Sequence, residues 1–358
     1  AADVKRLLSK VSRPAVLPVE SPLSTDAAAW DEALESLDGH LLQSWRWGEF
    51  KSGHGWTVER VAVNGVGSAM AQVLFRRRGP VSVGYIPRGP AFSPGDVESL
   101  RELFQRIDQV CRTHRALYLI VELDSPLPFQ GRFKGEGFVR GPDHIQPGRT
   151  VKVPLLDDER LLGQMHQKTR YSVRLAERRG VTIERCHVTP DNVRSFFDLL
   201  QDTSQRNGFG IHEERYYADF LRFFGDDALL TFALVEGSRA AGLIAARFGR
   251  EAIYMYGASS SEHRAHGAAF RLQFEAMRWA RELGCHRYDL WGIPAEDPVT
   301  TGEQGGERVA ATRGDDWRGL YRFKVGFGGE IVSYPPTLER RYHPMTAFLA
   351  RRVYSTPR

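Results

Sequence analysis

The stretch AAGLIAARFGREAIYMYGASSSEHRAHGAAFRLQFEAMRWARELGCHRYDLW, residues 240–291, contains the pattern that decides the fold. Apolar segments at 240–248 and 252–256 are separated by a Gly-Arg turn, which is typical of two paired strands. Apolar side chains then recur every three or four residues from 267 to 283, which predicts a helix ending at a glycine. A short strand at 287–291 follows. The order is therefore strand, turn, strand, break, helix, strand.

The same order occurs earlier in the chain. Apolar segments at 68–75 and 81–86 flank an Arg-Gly turn, a Pro/Gly-rich break follows, and residues 97–114 carry apolar side chains at helical spacing. An apolar strand at 116–123 closes this copy. A crossover helix joins parallel strands, whereas the hairpin before it adds antiparallel ones. The sequence therefore predicts an α/β (α+β) fold in which a mixed sheet flanked by helices occurs twice.

Helical segments also precede both copies, at 25–37 before the first and at 161–179 and 191–206 before the second. A length of 358 residues exceeds one ordinary hydrophobic core and suits two domains. A cleft between two such copies suits one large substrate, or two substrates that meet there.

Composition narrows the class of protein. Hydrophobic residues make up 42% and charged residues 26%, which is typical of a soluble globular protein. A net charge of +5 permits a polyanionic partner or an anionic membrane surface without requiring either. The three cysteines form no metal-ligand spacing, so we expect a reducing compartment and no structural metal. No signal peptide and no run of about 18 apolar residues is seen, so a cytoplasmic location is expected.

The stretch LYRFKVGFGG, residues 320–329, places a lysine between aromatic residues and glycines. Only seven of the 49 basic residues are lysines, since the sequence uses arginine almost everywhere else. Glycines let backbone approach a ligand closely, and an ammonium among apolar rings is suited to act on developing negative charge. Lys324 is therefore a candidate catalytic residue, with chance placement of one lysine as the alternative.

Four further stretches, read with the one around Lys324, resemble the Fem (FemABX-type) family of peptidoglycan aminoacyltransferases. The segments YMYGAS (254–259) and YDLWG (288–292) are also similar to that family, and the resemblance covers roughly residues 40–335. The four stretches occur in the family's order: QSWRWGEFK (43–51), YIPRGP (85–90), KTRYSVRLAERRGV (168–181) and TSQRNGF (203–209).

The resemblance implies two GNAT-like acyltransferase domains, the first of residues 1–154 plus 326–358, which binds the precursor, and the second of residues 155–325. It implies transfer of an amino acid from aminoacyl-tRNA to the stem-peptide amine of a UDP-linked or lipid-linked muropeptide precursor, without a cofactor. A monomer is expected, with peripheral contact at the inner face of the membrane. Some members carry a long helical hairpin, for which residues 216–229 leave no room, so the short form is expected.

The resemblance also assigns roles to single residues. Lys324 and Phe323 are placed at the aminoacyl end of the tRNA, where Lys324 neutralises the oxyanion or the departing ribose oxygen. A surface ion pair is the alternative for Lys324. Lys51 and Arg206 match diphosphate-binding positions, and a point charge beside a guanidinium suits a pyrophosphate. Their alternatives are a helix C-terminal lysine and an ion pair with Asp202.

Five further side chains are predicted to bind substrate. The hydroxyl of Tyr256 is expected at the same phosphates, with a core aromatic as the alternative. Tyr85 and Arg88, in the Pro/Gly turn, are expected to line the cleft, with a purely structural turn as the alternative. Trp47 and Tyr216 complete the predicted substrate-binding set.

The basic residues of one predicted helix and the carboxylate Asp289 each have a functional and a structural interpretation. Lys168, Arg170 and Arg174 recur at helical spacing, and a basic helix face can follow a phosphate backbone. They are candidate contacts for tRNA or precursor, with a merely solvated face as the equal alternative. Asp289 ends a predicted strand, where α/β sheets place their sites. It is a candidate proton acceptor, with capping of a nearby backbone N–H as the alternative.

An acyl-CoA-dependent N-acyltransferase is the main alternative function. Residues 264–269, RAHGAA, fit the R-x-x-G-x-A pattern of the GNAT superfamily at a helix start, where backbone N–H groups hold a pyrophosphate. A third interpretation is a tRNA- or precursor-binding protein without transfer activity. A metal enzyme is disfavoured, because His263 and His266 have no carboxylate at matching spacing. Residues 294–316 predict a mobile loop, and the Arg-rich end of the chain, from Arg340, predicts an amphipathic helix.

Overall fold

The computed structural model describes residues 25–63, 68–128, 136–297 and 317–342. Helices α1 and α2 open the described chain, with a 3-10 turn (Leu41–Gln43) between them. The elements up to the middle of the chain are α1 (Ala27–Ser36), α2 (Trp45–Ser52), β1 (Thr57–Val63), β2 (Ala69–Arg78), β3 (Val81–Ile86), β4 (Ala91–Phe92), α3 (Val97–Thr113), β5 (Ala116–Val121) and β6 (Val139–Arg140).

The remaining elements run from residue 149 to residue 341. They are β7 (Arg149–Pro154), α4 (Asp158–Gln164), α5 (Gln167–Arg178), β8 (Thr182–Cys186), α6 (Pro190–Asn207), α7 (Glu214–Phe224), β9 (Ala228–Val235), β10 (Ser238–Phe248), β11 (Glu251–Ser259), α8 (Ala268–Glu282), β12 (Arg287–Asp289), α9 (Trp317–Val325), β13 (Glu330–Ser333) and β14 (Leu338–Arg341). Short 3-10 turns follow α7 (Gly225–Asp227) and precede α8 (Arg264–His266).

The first sheet has the strand order β1-β2-β3-β5-β14-β6, with β4 paired to β2. Strands β3 and β5 are parallel and α3 connects them. Asp96 begins α3 by accepting a hydrogen bond from the Ser99 N–H at 3.0 Å. The helix buries side chains at three- and four-residue steps against the sheet, namely Leu100, Leu103, Phe104, Ile107 and Cys111.

The second sheet repeats this plan in the order β13-β7-β12-β11-β10-β9-β8. Strands β11 and β12 are parallel, and α8 is the crossover helix. The α8 face packs on one side of the sheet with α4 and α5, whereas α6 and α7 pack on the other side. The predicted α/β fold with two mixed sheets flanked by helices is confirmed.

A β-bulge in β11 turns two neighbouring tyrosines to opposite faces of the second sheet. Ile244 of β10 pairs with Tyr256, whereas the next residue, Ala245, pairs with Tyr254, so Met255 is the extra residue. Tyr254 consequently packs into the core beneath α8, and Tyr256 packs into the core beneath α6 and α7. This irregularity places one polar ring on each side of the strand.

The structure differs from the sequence predictions in three places. The helix expected at 161–179 is broken at Met165, whose ψ of 146° is extended, and becomes α4 and α5. Arg340 and Arg341 belong to β14 instead of a helix, because β14 fills the gap between β5 and β6. Strand pairing puts β7 and β13 into the second sheet, although the predicted boundaries at 154 and 326 assign both to the first domain.

The division into domains itself stays a prediction. The predicted loop at 294–316 falls largely on residues outside the described ranges, as does the chain after residue 342. Among the described residues, no helix combines the length and the apolar character that a membrane span requires.

Candidate active site

Lys324 lies in the last turn of α9 with its side chain buried, 5% exposed. Its Nζ donates hydrogen bonds to the carbonyl oxygens of Gly292, at 2.8 Å, and Trp291, at 3.3 Å. The ring centroid of Tyr254 is 5.5 Å away. Burial lowers the pKa of Lys324 to about 7, against the raising effect of the Asp289 carboxylate. An ammonium has three N–H donors, so these two carbonyls leave one donor for a further acceptor.

Asp289 holds the segment that accepts from Lys324. Its carboxylate is fully buried and accepts the Trp291 N–H at 2.6 Å and the Thr150 hydroxyl. Trp291 has a φ of +58°, in the left-handed region that side chains rarely adopt. These contacts match the capping alternative for Asp289. They orient the Trp291 and Gly292 carbonyl groups toward the ammonium. Asp289, at the end of β12, thereby positions the Lys324 side chain of α9.

Phe323 and the glycines around Lys324 fix helix α9. The Phe323 ring packs against Phe270 and Phe327, with centroids 4.9 and 5.3 Å away. A Cβ atom on Gly326 would lie 2.1 Å from the Thr169 hydroxyl oxygen, and one on Gly328 only 2.0 Å from a backbone oxygen at the end of α4. The close approach that the sequence predicts toward a ligand is here made to the α4–α5 junction. The glycines thereby explain why the predicted helix breaks there.

Lys51 lies in a cage of aromatic rings at the C-terminal end of α2. Its Nζ is between 5.4 and 5.8 Å from four ring centroids and 3.4 Å from the Tyr216 hydroxyl. Burial lowers the pKa of Lys51 to about 8, and the charge of Arg76 adds to that effect. A poorly hydrated ammonium of this kind binds an incoming anion strongly. The four rings belong to Trp47, Phe50, Trp56 and Tyr216.

Tyr216 lies between Lys51 and Tyr256, and Arg206 contacts the end of the strand that carries Tyr256. The rings of Tyr216 and Tyr256 lie edge to face with centroids 6.4 Å apart, and burial raises the pKa of Tyr216 to about 12. Tyr256 lies three residues before Ser259, whose carbonyl oxygen accepts from Nη2 of Arg206 at 3.0 Å. We call Lys51, Tyr216, Tyr256 and Arg206 the Lys51 cluster. Its members come from α2, α6, α7 and β11, so the fold assembles it from both halves of the chain.

Strand β11 separates Lys324 from the Lys51 cluster. Tyr254 faces the Lys324 ammonium, and Tyr256 faces Tyr216 on the opposite side of the sheet. The structure therefore brings Lys51, Trp47, Tyr216 and Tyr256 together, with Arg206 at Ser259 on the strand that carries Tyr256, and it places Lys324 and Asp289 across the bulged strand.

Tyr85 and Arg88 are buried behind the predicted cleft. The Tyr85 hydroxyl donates to the Glu122 carboxylate, which also accepts the Ile145 N–H at 2.5 Å. Arg88 is 1% exposed, has a φ of +50°, and stacks 3.3 Å from the centroid of the Tyr334 ring. The purely structural alternative accounts for Tyr85, since its hydroxyl donates to the fully buried Glu122 and accepts from the half-buried Gln146.

Glu122 and Tyr334 were not predicted from the sequence. Glu122 directly follows β5, as Asp289 ends β12, so the two copies of the fold place a fully buried carboxylate at the same point. Glu122 could have been predicted from this parallel, because an acidic residue after an apolar strand lies at the edge where α/β sheets place their sites. Tyr334 gave no local signal.

The basic face predicted on α5 is only partly exposed. Arg170 donates to the carbonyl oxygens of Leu162, Gly163 and Met165, where it caps the C-terminal end of α4. Lys168 and Arg174 are exposed. Tyr171, 55% exposed, lies on the same helix, with the Arg178 guanidinium 5.6 Å from its ring centroid.

The pattern at 264–269 packs against α5. Gly267 caps α8 with a φ of +72°, and a Cβ atom there would lie 2.7 Å from the Ser172 carbonyl oxygen. A carbonyl oxygen at this position repels an anion, which disfavours the pyrophosphate of a CoA ester.

Within the described ranges, one group of side chains has metal-ligand geometry. A ring nitrogen of His40 and carboxylate oxygens of Glu251 and Asp289 lie within 4.8 Å of one another. The Lys152 ammonium, however, is 2.8 and 2.9 Å from the two Glu251 oxygens and 3.9 Å from Asp289. Because an ammonium already supplies positive charge there, these residues do not fit a cation.

Comparison with known proteins agrees with this architecture. The FemAB family matches residues 28–126, 133–239 and 236–355, and the chain therefore belongs to the FemAB family. The predicted family resemblance is confirmed.

Individual relatives give the same result. The lipid II:glycine glycyltransferase of Staphylococcus aureus is 26% identical, over 75% of this chain and 83% of that protein. The crystal structure of FemX superposes with a TM-score of 0.79 at 22% identity, covering 90% of this chain and 98% of that one. A tandem GNAT protein from the clavulanic acid biosynthesis pathway reaches a TM-score of 0.50 at 15% identity, covering 80% and 83% of the two chains.

Proposed function

We propose that this member of the FemAB family is an aminoacyltransferase that moves an amino acid from aminoacyl-tRNA to the stem-peptide amine of a peptidoglycan precursor. The observation that carries the proposal is the buried Lys324 ammonium, two of whose three N–H donors are taken up by carbonyl groups among the described residues. The name of the staphylococcal relative supports aminoacyl transfer, and its substrate, lipid II, supports a lipid-linked precursor. A nucleotide-linked precursor is the alternative substrate, to be tested beside the lipid-linked one.

The chemistry assigned to Lys324 is stabilisation of charge. The acceptor amine attacks the ester carbonyl, whose oxygen becomes an anion, and the bond to the ribose oxygen then breaks. The free N–H of Lys324 donates to that oxyanion or to the departing ribose oxygen, and one such donor is worth on the order of 3 kcal/mol. The ester is already activated, so no covalent enzyme intermediate is needed. Phe323 contributes by fixing the helix that carries the ammonium.

The Lys51 cluster is the proposed diphosphate site of the precursor. Lys51 offers a point charge with few water ligands, Arg206 offers a guanidinium, and the hydroxyl of Tyr256 completes the donor set. Trp47 and Tyr216 hold Lys51 in place through their rings. Strand β11 then lies between the phosphates and the reacting amine.

The donor is proposed to approach along the exposed part of α5. Lys168 and Arg174 offer phosphate contacts, whereas Arg170 serves to order the α4–α5 junction next to the glycines that follow Lys324. Asp289 acts on the reaction through Trp291 and Lys324. Its role as a proton acceptor is the weaker proposal, because its oxygens already accept protein hydrogen bonds.

One experiment tests the proposal directly. The protein is incubated with a pool of charged tRNA and either a lipid-linked or a UDP-linked muropeptide, and the product is weighed by mass spectrometry. The expected result is a mass increase of the muropeptide by one aminoacyl residue, abolished when the tRNA is treated with ribonuclease. A product formed from an acyl-CoA in the absence of tRNA would favour the acyl-CoA-dependent alternative instead.

A further inference from the structure

Helix α5 has one face buried in the core of the second sheet and one face in solvent. Val173 and Ala176 belong to that core, and Thr169 is buried on the same side of the helix. The exposed side chains that recur at steps of three and four residues lie in one row along the other face. We call this row the α5 stripe, and its members are Lys168, Tyr171, Arg174 and Arg178.

Tyr171 is the unusual member of the stripe. It is 55% exposed, more than any other large hydrophobic side chain in the described ranges. Because an aromatic ring gains free energy by leaving water, a ring held at the surface of a helix is suited to cover a flat ligand. The Arg178 guanidinium lies 5.6 Å from the ring centroid. An aromatic ring beside a guanidinium is a combination that stacks nucleic-acid bases.

The charges of the stripe are not neutralised by the rest of the described chain. Within the described ranges, no ion pair and no side-chain hydrogen bond holds Lys168, Arg174 or Arg178. Glu177 is the single acidic residue of the helix, and its carboxylate lies 3.8 Å from Arg271. Three exposed cations around one ring therefore attract a polyanion, and a phosphate backbone supplies negative charges in a row.

The stripe begins close to the candidate catalytic residue. The N–H of His166, directly before α5, donates to the carbonyl oxygen of Gly326 at 2.8 Å, and Gly326 follows Lys324 by two residues. With a rise of about 1.5 Å per residue, the stripe extends about 15 Å along the helix from Lys168 to Arg178. It therefore leads from the α4–α5 junction, beside the turn that follows Lys324, outward over the surface.

We propose that the α5 stripe binds the unpaired 3′ end of an RNA, with one base stacked on Tyr171 and the backbone phosphates at the three cations. The inference rests on the proposed function, since a tRNA ends in unpaired nucleotides and carries the aminoacyl ester on the last ribose. Bases within a duplex stack on one another, and side chains cannot enter the deep major groove of double-stranded RNA. The ring therefore favours single-stranded RNA, whereas the cations attract both forms.

The test compares two hairpin RNAs by fluorescence anisotropy with the full chain. Both carry fluorescein at the same loop position. One ends in an unpaired ACCA sequence at its 3′ end, and the other has a blunt end. We expect the hairpin with the unpaired end to bind about tenfold more tightly, which is the contribution of one stacked base. Both affinities should fall as the salt concentration rises.

Three variants assign the effect to single side chains. Tyr171→Ala is expected to weaken binding of the unpaired end about tenfold and to change binding of the blunt hairpin by less than about twofold. Tyr171→Phe keeps the ring without the hydroxyl, so it is the matched control and should retain the preference. Arg174→Gln should weaken both hairpins alike and lessen the salt dependence, because it removes a phosphate contact.

Equal affinity of the wild-type chain for the two hairpins would overturn the inference. Unchanged binding in Tyr171→Ala, or an equal loss in Tyr171→Phe, would overturn the stacking role. Binding of phosphatidylglycerol vesicles that depends on Tyr171, with no preference between the hairpins, would identify a membrane surface instead. Should Tyr171→Ala fail to fold by circular dichroism, Tyr171→Gln takes its place.

The transfer assay separates this result from the proposed function. With charged tRNA as the varied substrate, Tyr171→Ala is expected to raise KM about tenfold and to leave kcat within about twofold, because the ring binds the donor without touching the ester. Transfer without a preference for the unpaired end overturns only the role of the stripe. A preference for the unpaired end without transfer overturns only the proposed activity.

Discussion

Lys324 is a lysine whose surroundings make its charge adjustable. Two carbonyl oxygens hold its Nζ, a tyrosine ring lies beneath it, and burial moves its pKa to about 7. Such a group donates to an oxyanion only in its protonated form. Its contribution to catalysis is therefore separable from substrate binding, which the Lys51 cluster is proposed to provide.

Replacing Lys324 by Met, which fills similar space without a donor, is expected to lower turnover by about 100- to 1000-fold. Precursor affinity should stay within about threefold of the wild-type value. Turnover is measured by mass spectrometry of the product and affinity by calorimetry. Arg322→Met, on the exposed side of the same helix, is the matched control and should retain activity. Equal losses in turnover and affinity for Lys324→Met would contradict the assigned role.

The pH dependence of turnover is expected to follow the protonation of Lys324. The pKa of Lys324 in the folded chain is about 7, so the protonated fraction and the rate should fall as pH rises above about 7. Asp289 raises that pKa, so Asp289→Asn should move the fall to lower pH. Asparagine can still accept the Trp291 N–H, which preserves the turn. A rate profile unchanged in Asp289→Asn would argue against coupling between the two residues.

Lys324, Lys51 and Arg206 were predicted from the sequence because each lies in a distinctive local stretch, and their roles stay predictions. The sequence could not identify Tyr334 as a neighbour of Asp289 and Arg88, because these residues lie far from it along the chain. The side-chain direction of Arg170 was equally inaccessible. Whether a basic side chain on a helix faces solvent or caps a neighbouring helix depends on packing between elements.

At the scale of elements, the α4–α5 junction and the glycine turn after α9 (residues 326–329) each depend on the position of the other, because their backbones are in close contact. The turn crosses the break in the helix so closely that Gly328 leaves no room for a Cβ atom, and its φ is +81°. The same turn sets the position of the last turn of α9 and hence of Lys324. A sequence pattern of period 3.6 continues across the break, which is why a single helix was predicted there.

Gly328→Ala is expected to reduce the free energy of unfolding by more than about 2 kcal/mol, because it combines a disfavoured φ with a backbone clash. The measurement is denaturant unfolding followed by circular dichroism. Gly210→Ala is the control, since a Cβ atom there has no neighbour within 4 Å. Similar stabilities for the two variants would show that the turn can move away from α4.

At the scale of the whole molecule, the chain uses one plan twice, and side chains from α2 pack with α7 against the second sheet. The repeated order of strands and crossover helix was predictable, since it depends on local periodicity. The sheets to which β7, β13 and β14 belong were not predictable. These strands pair with partners far away in sequence: β7 pairs with β12 and β14 pairs with β5, each more than 100 residues apart. The predicted boundaries at 154 and 326 therefore stay predictions, although β7 and β13 both pair in the second sheet.

The Lys51 cluster joins both halves of the chain, so its energetics report on their relative placement. If Lys51 and Arg206 bind one diphosphate, Lys51→Met and Arg206→Met should each weaken precursor binding by about tenfold or more. The double variant should lose less than the product of the two, because both cations act on one group. Calorimetry with the precursor measures the cycle, and Arg112→Met, exposed in the last turn of α3, is the control. Strictly multiplicative losses would mean that the two cations bind separate groups, and the two halves of the chain would then not close on one diphosphate.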